Sequence, residues 1–244
     1  MSQTELPDTG LPADEAPAVF RREIKSFVRR EGRITAGQQV ALDTLWPRYG
    51  LDAPPAGVLL DLPAVFGRVA PVVFEIGFGA GDALLFRAER APQRDFIGVE
   101  VHRPGVGRVL NRAEKACLHN LRVICHDAVE VLRDWLPDAA LDELILEFPD
   151  PWHKKRHHKR RIVQPGFADL VARKLRPGGL FRLATDWAPY AEHMRQVLDG
   201  HAAFESLADA SGWVARPDSR PVTRFEARGD RLGHDTFDLG YRRR

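Results

Sequence analysis

The stretch Phe148-Pro-Asp-Pro-Trp-His-Lys-Lys-Arg-His-His-Lys-Arg-Arg161 joins an acidic turn to six Lys and Arg side chains between positions 154 and 161. Chemistry that needs a fixed carboxylate and binding that needs a polyanion meet in it. Prolines on both sides of Asp150 restrict φ and hold Pro149 and Asp150 out of helical geometry, so the carboxylate projects from a stiff loop. Lys154, Lys155, Arg156, Lys159, Arg160 and Arg161 suit phosphate, since Arg offers a fork of donors and Lys a point charge. A charge run alone is more often a solvated face. Here it continues from a strand-like run, Leu141 to Phe148, and ligands of open α/β sheets sit at the carboxyl ends of strands.

A second constellation lies upstream. Glu75-Ile-Gly-Phe-Gly-Ala-Gly81 places Gly77, Gly79 and Gly81 at alternate positions, which lets the chain turn sharply and its backbone approach a ligand. The spacing is not the G-x-G-x-x-G of dinucleotide sites. Glu75 at the entrance and Asp82 after the last glycine disfavour a pyrophosphate and favour a cation, such as the sulfonium and amino group of S-adenosylmethionine. Glu100, 19 residues after Gly81, is placed to accept hydrogen bonds from both hydroxyls of a ribose. Asp127 could receive an adenine amino group, with His126 and Ala128 nearby. Each acid taken singly could equally cap a helix, Asp127 above all. Three acids after successive strands, one of them on a glycine turn, favour a shared site.

Elements that would position these residues follow from apolar periodicity. Strands are expected at Val72–Ile76, Asp95–Glu100, Leu121–Cys125, Leu141–Phe148 and Leu180–Ala184. Helices are expected at 83–90, 104–118, 128–135, 164–175 and 190–198, with Arg176-Pro-Gly-Gly179 as a helix stop. Ala203–Leu207 and Thr236–Tyr241 would form an antiparallel pair at one edge. Such alternation predicts an α/β, Rossmann-like fold: a mostly parallel central sheet, helices on both faces and an antiparallel edge strand. Residues 1–18 read as a disordered acidic tail and 19–70 as an N-terminal extension with a basic segment from Phe20. Residues 71–244 read as the catalytic domain.

A chain of 244 residues with a net charge of +2 is only mildly basic, so attraction to nucleic acid must come from local clusters, at Lys154–Arg161 and Arg242–Arg244. Cys117 and Cys125 lack metal-ligand spacing and point to a reducing, cytoplasmic interior. No apolar segment is long enough for a membrane helix, so no membrane partner is expected. No metal site is expected either, because His153, His157 and His158 stand among cations. A monomer is preferred to a homodimer.

The longer words F-E-I-G-F-G-A-G, G-V-E-V-H-R-P-G-V-G, N-L-R-V-I-C-H-D-A-V-E-V-L, F-P-D-P-W-H-K-K-R-H-H-K-R-R, A-T-D-W and R-P-V-T-R-F-E-A-R-G stand in this order over residues 70 to 244. The chain thereby resembles the bacterial tRNA (guanine-N7-)-methyltransferase family, which belongs to the class I methyltransferases. That resemblance implies methyl transfer from S-adenosylmethionine to N7 of the variable-loop guanine at position 46 of tRNA. It implies Glu75, Glu100, Asp127 and Asp150 as cofactor contacts, Asp150 as the catalytic residue, and Lys154, Asp186, Thr223, Arg224, Phe225 and Glu226 as substrate positions. On this view Asp186 and Glu226 are candidates to accept from the donor edge of guanine, and Trp152 either stacks on a base or anchors the loop. Glu147 departs from the family's usual apolar or aromatic residue, Phe237 from a Trp and Arg224 from the commoner Lys. An amino methyltransferase, an idle RNA-binding relative and a nicotinamide dehydrogenase remain rival readings. The last is opposed by the acid in the glycine turn.

Overall fold

The computed structural model describes residues 25–27, 32–222, 226–227, 233 and 235–244. The acidic tail expected over residues 1–18 lies outside them. Helix α1 (Ala36–Thr44) opens on a reciprocal cap, in which the Thr35 side chain accepts from the Gln38 amide and the Gln38 side chain accepts from the Thr35 amide. Short helices α2 (Trp46–Tyr49) and α3 (Leu62–Phe66) follow, and Asp61 caps α3 by accepting from the Ala64 amide.

The sheet contains β1 (Val72–Ile76), β2 (Asp95–Val99), β3 (Leu121–Ile124), β4 (Leu141–Glu147), β5 (Leu175–Thr185), β6 (Phe204–Ser206) and β7 (Phe237–Arg243). Their order is β3-β2-β1-β4-β5-β7-β6. Strands β1 to β5 are parallel, and β7 runs antiparallel to both β5 and β6. Helices α4 (Asp82–Arg90), α5 (Arg103–Lys115), α6 (Ala128–Asp134) and α7 (Pro165–Lys174) make the crossovers, and α8 (Ala188–Asp199) follows β5.

Because side chains alternate along a strand, the sheet divides its apolar residues between two layers. Val73, Phe96, Val123 and Ile145 pack against α1, α2, α4 and α5. Phe74, Ile97, Leu144 and Phe181 pack against α3, α6, α7 and α8. Each such Ile, Leu or Phe stabilises the fold by roughly 1.5–3 kcal/mol when fully buried. The first four strands end within a residue of where the apolar runs predict them. β5 is longer than expected: the chain pairs with Leu141 as soon as α7 stops, bulges through Arg176–Gly179, and rejoins β4 at Leu180. Successive crossovers leave β1 in opposite directions, which opens a crevice at the carboxyl ends of β1 and β4. Among the described residues no helix is long and apolar enough to cross a membrane.

Candidate active site

The crevice holds a cavity of about 730 Å³, whose walls include Gly77, Glu100, Asp127, Glu147, Asp150 and Lys154. Ser26 and Phe27, from the segment before α1, line it as well. Glu100 is held by three backbone amides: Val101 and His102 donate to Oε1 at 2.7 and 2.9 Å, and Gly79 donates to Oε2 at 2.9 Å. Asp127 both lines the cavity and caps α6, accepting from the Val129 amide at 2.9 Å, and Lys25 pairs with it at 3.0 Å.

Asp150 is exposed on a loop bracketed by two bulky residues in left-handed backbone geometry, Phe148 at φ 51° and Trp152 at φ 48°. Such conformations cost on the order of 1–3 kcal/mol each and persist where surrounding contacts impose them. Here the Phe148 amide donates to the Ala184 carbonyl at 2.7 Å, while Trp152 donates through Nε1 to the Ser26 carbonyl at 3.0 Å. The Arg160 guanidinium lies 4.1 Å from the center of the Trp152 ring, and His157 meets that ring edge-on. Of the two roles expected for Trp152, the anchoring one is present in these contacts.

Glycines of the turn do separate jobs. Gly77, at φ 71°, faces the cavity with open space where a Cβ would stand. Gly79 and Gly81 do not line it: Gly79 spends its amide on Glu100, and Gly81, at φ 76°, starts α4 so close to α5 that a Cβ would lie 2.0 Å from Val109. Glu75 is a larger correction. Its side chain is buried under β1 and accepts from Arg87 at 2.7 Å, so its charge is directed into the sheet layer rather than at a ligand. Asp82 likewise turns away, to Arg112 and Arg108 on α5. Burial pushes the Glu75 carboxyl above the usual carboxylate range despite Arg87. Glu147, half-buried beside it on β4, is pushed up to about 7 by desolvation, with Arg87 opposing.

The remaining expected positions separate. Lys154, Lys155, Arg156 and Lys159 are exposed on or beside the 3-10 turn Lys155–Arg160. Arg160 donates to the Lys25 and Phe27 carbonyls, and Arg161 is 3% exposed, donating to the Pro151 carbonyl at 2.9 Å and lying over the Tyr190 ring. Arg161 therefore braces the loop instead of meeting phosphate. Asp186 lies just beyond β5 outside the cavity wall, two residues before α8 begins at Ala188. Glu226 is 3% exposed and accepts from Arg220 at 2.6 Å, which removes its carboxylate from the open surface. Thr223, Arg224 and Phe225 lie outside the described residues.

Sequence reasoning missed Arg220, which donates to both oxygens of Asp238 at 2.9 and 2.7 Å and stands 5.7 Å from the center of the Phe148 ring. It ties the R-P-V-T-R-F-E segment to the loop that carries Asp150. Lys25, Ser26 and Phe27 belong to the basic segment from Phe20, which the sequence offered as packing on the domain or the substrate without singling out any of its residues; here they lie against the cavity and its loop.

The family model Methyltransf_4, described as "Putative methyltransferase", matches residues 69–239. A protein of Edwardsiella ictaluri named tRNA (guanine-N(7)-)-methyltransferase is 57% identical over 94% of this chain and 95% of its own length. One of the same name from Aeromonas hydrophila is 56% identical over 92% and 94%. Among solved structures, the 16S rRNA methyltransferase KamB superposes with a TM-score of 0.54 at 17% identity, over 76% of this chain and 94% of that one. The aminoglycoside resistance methyltransferase NpmB1 gives 0.51 at 14% identity, over 76% and 94%. At such identities these two speak for the fold alone, the Rossmann-like arrangement found in class I methyltransferases. The sequence relatives go further, and the chain belongs to the bacterial tRNA (guanine-N7-)-methyltransferase family.

Proposed function

We propose that the protein transfers a methyl group from S-adenosylmethionine to N7 of the variable-loop guanine at position 46 of tRNA. One observation carries this reading: Glu100, Asp127, Asp150 and Lys154 border a single cavity, and Lys155, Arg156 and Lys159 are exposed on the turn that follows Lys154. The names of the relatives agree with it. The residues fit the cofactor. A volume of about 730 Å³ falls within the range of small-molecule sites, Gly77 leaves its backbone open to a ligand, and carboxylates dominate the charge of the inner wall.

When bound, the cofactor supplies an activated methyl on a sulfonium. Glu100, already rigid through three amide bonds, would accept from ribose hydroxyls, and Asp127 would meet the adenine end. Guanine N7 carries an exposed lone pair, so no strong general base is required. Asp150 would orient the base and offset the positive charge that reaches it. The stiff loop and the bracing by Trp152 and Arg161 fix Asp150 relative to the cavity, and positioning of this kind can supply much of a rate enhancement. tRNA phosphates would lie on the exposed lysines and Arg156, largely without regard to sequence. The compartment implied is the cytoplasm.

Nucleoside mass spectrometry of tRNA incubated with the protein and methyl-labelled S-adenosylmethionine tests the proposal. Label in 7-methylguanosine is expected. Label confined to an exocyclic amine, or absent from tRNA, would overturn it.

A further inference from the structure

Two carboxylates share one guanidinium beneath the cavity wall. Arg87 donates through Nη1 to Glu75 at 2.7 Å and through Nη2 to Glu147, and its Nε has no partner. Neighbouring acids are better matched. Glu143 has both Arg94 and Arg182 at 2.7 Å, Asp82 has Arg112 and Arg108, and Glu226 and Asp238 share Arg220 with Arg216 added. With both acids ionised, Glu75, Arg87 and Glu147 hold one uncompensated negative charge on side chains only 5%, 4% and 12% exposed. An excess charge so placed takes up a proton or a cationic ligand. Glu147 is the member of the three that reaches the cavity.

Resting on the reading that the cavity receives S-adenosylmethionine, we propose that Glu147 is a positioning and specificity residue whose carboxylate takes the cofactor's positively charged methionine end in exchange for a proton. Arg87 and Glu75 hold it in place. The exchange balances: the O–H bond of the protonated carboxyl breaks, the proton leaves to solvent, and the cation takes its place with no electron transferred. Groups facing Glu147 are Glu75 from β1, Arg87 from α4 and Arg220 from the segment before β7, while Ala184, its partner on β5, brings no charge. Across the cavity stand Glu100, Asp127, Asp150, Lys154 and the imidazoles of His102, His126, His153 and His157. Burial raises the Glu147 carboxyl to about 7, which puts the exchange within an accessible pH range.

Calorimetric titration of the protein with S-adenosylmethionine, in buffers of different ionisation enthalpy between pH 5.5 and 8.5, reads the proton count directly. Wild type should release more protons near pH 6 than Glu147→Gln does, the difference approaching one proton and vanishing by pH 8.5. Its affinity should climb by up to about tenfold per pH unit below 7, with a flatter profile in the variant. Subtracting the variant removes the contribution of the imidazoles. Equal proton release in the two proteins overturns the role of Glu147 while leaving the cofactor reading intact. Absence of any binding to wild type overturns both. Should Glu147→Gln fail to fold, wild type remains decisive, because unchanged proton release from pH 5.5 to 8.5 contradicts the exchange.

Discussion

Asp150 is an exposed carboxylate whose position is set by its neighbours, Phe148 and Trp152 in left-handed geometry and prolines on either side. Because the loop is fixed by contacts of those neighbours, Asp150→Ala should leave it in place and remove only the carboxylate proposed to orient the base. The expected result is a single-turnover methylation rate lower by about 10²–10³-fold, the scale of losing one group that stabilises developing charge, with tRNA affinity changed little. A near-normal single-turnover rate would refute the role. That Asp150, Glu100 and Asp127 reach one cavity was legible in the sequence, because each ends or follows a strand, where a polar residue has access to the crevice. Glu75 was not, because it lies inside β1, and alternation turns it toward α4 instead of the cavity. Its partner Arg87 is 12 residues away and meets it only through packing of α4 on the sheet. The available signal was an Arg within the apolar stripe Ala83, Leu84, Leu85 and Ala88, combined with the acid of Leu-Ile-Leu-Glu147.

Elements, rather than single residues, set the cost of that triad. β1 and β4 are adjacent and present Glu75 and Glu147 to one face, while α4 supplies one guanidinium. The folded pKa of Glu147, near 7, exceeds the ordinary carboxylate value of 4.5. Below pH 4.5 the group is protonated in both folded and unfolded chains and has no effect. Between 4.5 and 7 the folded state keeps the proton that the unfolded state loses, so stability falls as pH rises. Above 7 the penalty is complete, on the order of 3 kcal/mol. Glu147→Gln should therefore raise the melting temperature of the ligand-free protein at pH 8 and leave it nearly unchanged at pH 4.5. Melting curves that show the same gain at both pH values would exclude this linkage. Arg87→Leu should do the opposite, destabilising by about 3–5 kcal/mol at pH 8, because it leaves two buried acids without their cation. At this scale the antiparallel partnership of β6 with β7 was legible. The early start of β5 was not, since Arg176-Pro-Gly-Gly179 stops a helix and says nothing about the bulged strand that contains it.

For the molecule as a whole, a net charge of +2 makes long-range attraction to RNA weak, so affinity must come from local clusters such as the loop after Asp150. Six cations in the loop suggested six phosphate contacts, but folding divides them. Lys154, Lys155, Arg156 and Lys159 remain exposed, Arg160 binds carbonyls of the Lys25–Phe27 segment, and Arg161 is buried against Pro151 and Tyr190. Sequence could not draw this division, because Arg is as suited to carbonyls and aromatic rings as to phosphate, and burial decides which it meets. Measurement of tRNA affinity against salt separates the two groups. Each phosphate contact contributes about 0.7–0.9 to the slope of log affinity on log salt, so Lys155→Ala, Arg156→Ala and Lys159→Ala combined should lower that slope by roughly 2–3 and leave cofactor affinity unchanged. Arg161→Ala should leave the slope as it is and lower the melting temperature, because it removes a buried brace whose loss strands the Pro151 carbonyl. If Arg161→Ala reduces the slope as much as a single exposed lysine does, the arginine reaches RNA in the complex. The loop must then open on binding, and the rigid presentation of Asp150 would hold only for the free protein.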